Sequence, residues 1–109
     1  SLTGGFISTD KNGNITRCNE AANRILGIDS HGSINKPIAQ ALSQFPAVGA
    51  ILDVTLQREK AVNRQEIELQ RADGSTFVLG YSTFLIRTDR NQSLGAAITF
   101  QDLTRIRRP

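Results

Sequence analysis

The sequence predicts an α+β fold: one five-stranded antiparallel sheet with helices packed on one face, in the order β-β-α-α-α-β-β-β. Three observations carry this. Asn12-Gly13 and Asp73-Gly74 each sit between β-prone runs, and both dipeptides accept the positive φ that tight hairpin turns require. Between these turns, Val48, Ile51, Leu52, Thr55 and Leu56 are spaced i, i+3, i+4, i+7 and i+8, one apolar stripe on a helix. After the second turn come two long apolar, proline-free runs separated by the polar residues 88–93, which read as a second, longer hairpin.

Residues 6–9 form the first predicted strand and residues 15–18 the second, and these two strands are expected to lie centrally in the sheet. Asn19 follows as a helix N-cap, with Glu20 placed against the positive end of the dipole. The helix runs over residues 20–26, with Ala22, Ile25 and Leu26 on one face and Gly27 as its C-terminal cap. Residues 28–36 are a polar loop. A short helix over 37–44 starts with Pro37 in its first turn, where the missing amide costs nothing, and Pro46 is read as its breaker. The longest helix spans 47–60. In residues 63–71, Ile67 and Leu69 alternate with Glu66, Glu68 and Gln70, which is period two and a strand with one wet face.

The strand over 76–86 splits by alternation into Phe77, Leu79, Tyr81, Thr83 and Leu85 on one face and Val78, Gly80, Ser82, Phe84 and Ile86 on the other. Neither face is plainly polar, so the sheet is expected to be covered on both sides, with Val78, Phe84 and Ile86 as a homodimer face. The last strand, 94–100, is apolar with small residues, as befits a strand buried on both faces. The chain then passes through Asp102-Leu103-Thr104 into the basic segment Arg105-Ile106-Arg107-Arg108 and ends at Pro109.

Composition narrows the function classes. A chain of 109 residues is one domain's worth. The net charge is +3, and Arg105, Arg107 and Arg108 equal that excess, so the body is near neutral and no nucleic-acid surface is expected. No apolar run is long enough to span a bilayer. The single cysteine, Cys18, excludes an internal disulfide and any thiolate metal cluster, which fits a cytoplasmic setting. The absence of methionine, even at position 1, marks the chain as a piece of a longer protein. His31 is the only histidine and lies in a polar loop, and no nucleophile–base pair or phosphate loop is evident, so no catalysis is expected.

The residues resemble a PAS domain over nearly the whole chain. The opening is similar through Asp10, Asn12-Gly13, Ile15, Asn19, Ala21-Ala22 and Leu26-Gly27, the middle through Arg71-Ala72-Asp73-Gly74, and the end through Gly95 and Asp102-Leu103-Thr104. The last triplet is similar to the Asp-Ile-Thr with which many members hand over to a signalling helix. The stretch 94–104 looks most like the PAS domains of bacterial sensor histidine kinases. Asn35 stands where the family often has glycine, and asparagine is the best substitute if positive φ is needed.

The resemblance implies a two-component sensor module, residues 1–104, with 105–109 starting a linker or signalling helix towards an output domain. It also implies which cofactors to look for. The haem histidine expected on the long helix is missing, as is the flavin-photoreceptor cysteine of the helical segment, since Cys18 lies on the second strand. No cofactor is predicted. A small apolar ligand would find Ile7, Val48, Ile51, Leu52, Leu56, Leu79, Tyr81 and Ile98 as a pocket lining, with dense core as the competing reading. Asp102 and Thr104 are the expected signal relay: Asp102 as a tether of the exit, Thr104 as cap of a helix beginning at Arg105. The alternative function is a ligand-free dimerisation module.

Overall fold

The computed structural model describes residues 4–104. The elements follow in the predicted order: β1 (Gly5–Thr9), β2 (Ile15–Cys18), α1 (Glu20–Leu26), α2 (Ile38–Ala41), α3 (Pro46–Arg58), β3 (Gln65–Gln70), β4 (Thr76–Arg87) and β5 (Ser93–Asp102). The five strands form one antiparallel sheet in the order β2-β1-β5-β4-β3.

This order corrects one expectation. β5 is the central strand and β2 is at an edge. Gly95, Ala96, Ala97 and Ile98 are buried, and their small side chains let β5 pair with β1 on one side and β4 on the other. A Cβ at Gly95 would collide with the Thr9 carbonyl, so close is the approach of β1. β2 is only four residues long and exposes Thr16 and Arg17. The incoming loop covers its free edge at Ile15: the Ile15 amide donates to the Lys36 carbonyl, and the Asn35 amide donates to the Ile15 carbonyl. Asn35 turns the chain there at φ 68°, a positive φ at the position where the family resemblance has glycine.

Each helix end has a local cause. Asn19 accepts from the Ala22 amide at 3.0 Å and so caps α1. The same side chain accepts from the Phe6 amide and donates to the Gly4 carbonyl, sewing the helix start to β1. Gly27 closes α1 at φ 70°. Pro46 opens α3 rather than breaking the helix before it, because a fixed φ and a missing amide suit a first helical position. α2 is accordingly one short turn ending at Leu42. α3 ends two residues earlier than predicted, where Glu59 takes a left-handed conformation at φ 51°.

The core lies between the helices and the inner sheet face. Ile7, Ile15, Leu26, Val48, Leu52, Phe77, Leu79 and Ile98 are all essentially fully buried there. Buried hydroxyls interrupt it, at Thr9, which accepts from the Ala96 amide, and in a polar knot around Thr83. The Thr55 hydroxyl donates to the Ile51 carbonyl and meets the Thr83 hydroxyl at 3.0 Å, and Thr83 in turn accepts from the Val62 amide at 2.9 Å. The knot ties α3, the approach to β3, and β4 together, and among the described residues every buried side-chain polar atom is satisfied.

Candidate functional site

The two residues expected to relay a signal sit at one corner of the sheet, where β5 ends beside the start of β4. Asp102 is the last residue of β5 and faces Leu79 in register. Its Oδ1 accepts from the Thr104 amide at 2.9 Å, an Asx turn that bends the chain out of the strand direction. Two further bonds hold the bent segment to β4. The Leu103 amide donates to the Val78 carbonyl at 2.8 Å, and the Val78 amide donates to the Thr104 hydroxyl at 3.0 Å. The Thr104 side chain thus supplies the acceptor that a continuing strand would have supplied from its backbone. The helix expected from Arg105 lies outside the described residues.

Two partners at this corner carry no signal in local sequence. Leu103 lies over Gly80, where a Cβ would collide with its side chain. Arg71, at the end of β3, reaches the other carboxylate oxygen of Asp102 at 3.7 Å, with the two side chains 42% and 38% exposed. The Arg71 guanidinium also lies 4.1 Å from the centre of the Phe77 ring, a cation–π arrangement. Phe77 meets Phe45 edge-on at 5.6 Å. A continuous line of contacts therefore runs from the α2–α3 corner, through Phe77 and Arg71, to the chain exit. The turn presenting Arg71 is held by Asp73, which accepts from the Ser75 hydroxyl and amide. These bonds, hydroxyl first, hold the Asp73 carboxyl below the usual carboxylate range. Backbone amides of Gly32 and His31 do the same for Asp29 in the loop after α1.

The eight residues expected around an apolar ligand are brought together, but as packing. Ile7, Val48, Leu52, Leu56, Leu79 and Ile98 are buried against one another in the core. Ile51 and Tyr81 are half-buried at its margin, where with Val54, Thr55, Arg58 and Val62 they line a cleft of about 470 Å³.

Val78, Phe84 and Ile86 share the sheet face opposite the helices, as alternation required, with Gly80 and Ser82 between them. Phe84 is 47% exposed, and Val78 and Ile86 are half-buried. Cys18 is half-buried at the end of β2, and burial, with a smaller push from the Asp29 charge, raises its thiol to about 11. It is protonated at neutral pH and a poor nucleophile. Among the described residues no helix is long and apolar enough to cross a membrane.

Comparison with known proteins gives one family. The profile described as PAS domain matches residues 3–105. The signal transduction histidine-protein kinase AtoS of Escherichia coli (strain K12) is 29% identical over 100 residues, covering 92% of this chain but only 16% of that kinase. The chain therefore spans about a sixth of that relative. Among solved structures, the PAS domain of the histidine kinase ThkA aligns over 93% of this chain and all of its own, at a TM-score of 0.67 and 20% identity. VqmA of Vibrio cholerae, whose structure is described as that of a dimer, aligns over 97% of this chain and 48% of its own, at a TM-score of 0.74 and 18% identity.

Proposed function

The chain belongs to the PAS domain family, and on that premise we propose that it is the regulatory sensor module of a larger signal-transduction protein, a histidine kinase, which perceives a ligand or a change of state and relays it through Asp102, Leu103 and Thr104 to a downstream output domain. The phosphoryl chemistry belongs to the parent protein, and this module contributes a conformational input.

The observation that supports the reading most is the way the exit is held. Leu103 and Thr104 are fixed to β4 by two hydrogen bonds, a third within the exit joins Thr104 to Asp102, and one exposed ion pair and a leucine laid over a glycine complete the joint. Each contact is individually weak, about 0.5–1.5 kcal/mol for a typical hydrogen bond and less for an exposed ion pair. Such a joint can change arrangement without unfolding the core. A sensor output needs that property, because a ligand shifts a conformational equilibrium only by its differential affinity for the two states. For an apolar ligand, the margin at Ile51 and Tyr81 is the entry this packing leaves, since the six buried members of the set must part to admit one.

The test is to place Asp102→Ala and Thr104→Ala in the full-length parent and measure output activity, with thermal unfolding of the isolated domain alongside. The expected result is altered output, or an altered response, with the domain still folded. Unchanged output in both variants overturns the relay.

The exposure of Phe84 beside Val78 and Ile86 favours a second role for the outer face, as a homodimer interface. Phe84→Glu is then expected to lower the apparent mass by sedimentation without unfolding the domain. A wild-type domain that stays monomeric at high micromolar concentration removes this role from residues 1–109.

A further inference from the structure

A cleft of about 470 Å³ lies on the side of the domain, bordering the core at Leu26. Its walls are the last turn of α1, the α2–α3 corner and the β3–β4 turn. Its apolar floor comes from Ile25, Leu26 and Phe45, while Arg24 and Arg71 stand in its walls with the amides Asn23, Gln44 and Gln70. No carboxylate is among the lining residues; the acids nearest its cations, Asp102 and Asp73, act on Arg71 from outside the cleft. Arg24 makes no ion pair with any described residue. Arg71 has one, to Asp102, and it is long and exposed.

From this we infer that the cleft is a binding site for a small organic carboxylate with an apolar or aromatic body, whose charged end bridges Arg24 and Arg71 and draws Arg71 away from Asp102. A guanidinium matches a carboxylate in a planar, two-point fashion, and charge-assisted bonds of that kind are the strong ones. The apolar floor takes the body, and a volume of this size suits a small molecule. An exposed ion pair at 3.7 Å contributes little, so a better-placed carboxylate competes with Asp102 for the same cation. The cleft's occupant thereby acts on the residue that bends the chain exit. Only this consequence rests on the relay reading; binding at the cleft stands without it.

Benzoate, the neutral benzamide and inorganic phosphate serve as probes, each titrated into the isotope-labelled chain at constant ionic strength and followed by amide NMR shifts. Benzoate is expected to give saturable shifts at Arg24, Phe45 and Ala72, with Val78 and Thr104 moving in step and benzamide giving none. Arg24→Gln, an exposed change that leaves the fold intact, is expected to weaken benzoate about tenfold or more. Absence of saturation at millimolar benzoate, or equal binding by Arg24→Gln, overturns the site. Phosphate binding as tightly as benzoate overturns the carboxylate-with-apolar-body assignment. Saturation with Val78 and Thr104 stationary overturns the coupling to the exit. The relay itself is tested separately by output of the full-length variants, so the two failures are distinguishable.

Discussion

The helix-covered interior and the exit corner are built on opposite principles. The interior is held by shape: Ile7, Leu52, Leu79 and Ile98 are wholly buried, and its polar features, the Thr55–Thr83–Val62 knot and the Thr9 hydroxyl, are hydrogen-bonded. The exit corner is held by short polar contacts and a half-exposed leucine, at the edge of solvent. Packing of the first kind resists any small change of arrangement, because a displaced side chain leaves a cavity or a clash. Contacts of the second kind exchange with water at little net cost. The proposed relay needs both, a body that keeps its form and a joint that can yield, and Leu79 of the interior lies in register with Asp102 of the exit.

The largest expected effect breaks the rigid half. Leu52→Ala should destabilise the domain by about 2–5 kcal/mol in urea unfolding, the range for truncating a buried leucine. A loss well below that range would mean that the interior collapses onto the gap and is softer than its packing implies. Thr83→Val tests the knot within it. The Val62 amide and the Thr55 hydroxyl each lose a buried partner, and the expected cost is about 1–3 kcal/mol.

At the exit, Thr104→Val removes the acceptor for the Val78 amide. The expected global cost is about 1 kcal/mol, yet hydrogen exchange at Val78 and Leu103 should quicken while that at Leu79 and Ile98 does not. Equal acceleration everywhere would erase the distinction between joint and body. The smallest effect concerns Cys18. Its raised folded value means that the bonded proton is favoured by the fold. This contribution to stability is complete below the unfolded value of 9.0 and declines as pH rises through about 11. Alkylation of the folded domain should therefore be slow at neutral pH and keep rising beyond pH 9, where a free thiol levels off.

Much of the fold was legible because local chemistry and tertiary need coincide. Asn19 and Gly27 bracket α1 at the predicted residues, and Asn35, where the family resemblance has glycine, takes the positive φ that asparagine tolerates. Pro46 was misread because one residue type serves as breaker and as starter, and only the packing of α3 decides which. The site was legible in part. Asp102 and Thr104 stand out as short polar residues where an apolar strand must end. Arg71 does not, since nothing near it in sequence says that its cation meets a carboxylate thirty-one positions on; the Leu79–Asp102 register and the Asp73 turn bring them together.

By itself the sequence determined what depends on neighbours along the chain: the element types, the turns, the helix caps, and the two faces of β4. Those are consequences of side-chain period, allowed φ and short-range hydrogen bonding, which act over a few residues. The tertiary structure alone decided that β5 rather than β2 is central, that the apolar stripe of α3 fills the interior, and that Arg71, Leu103 and Gly80 join the exit. Those depend on which distant backbones find each other's free amides and carbonyls, and on how much volume remains once they have.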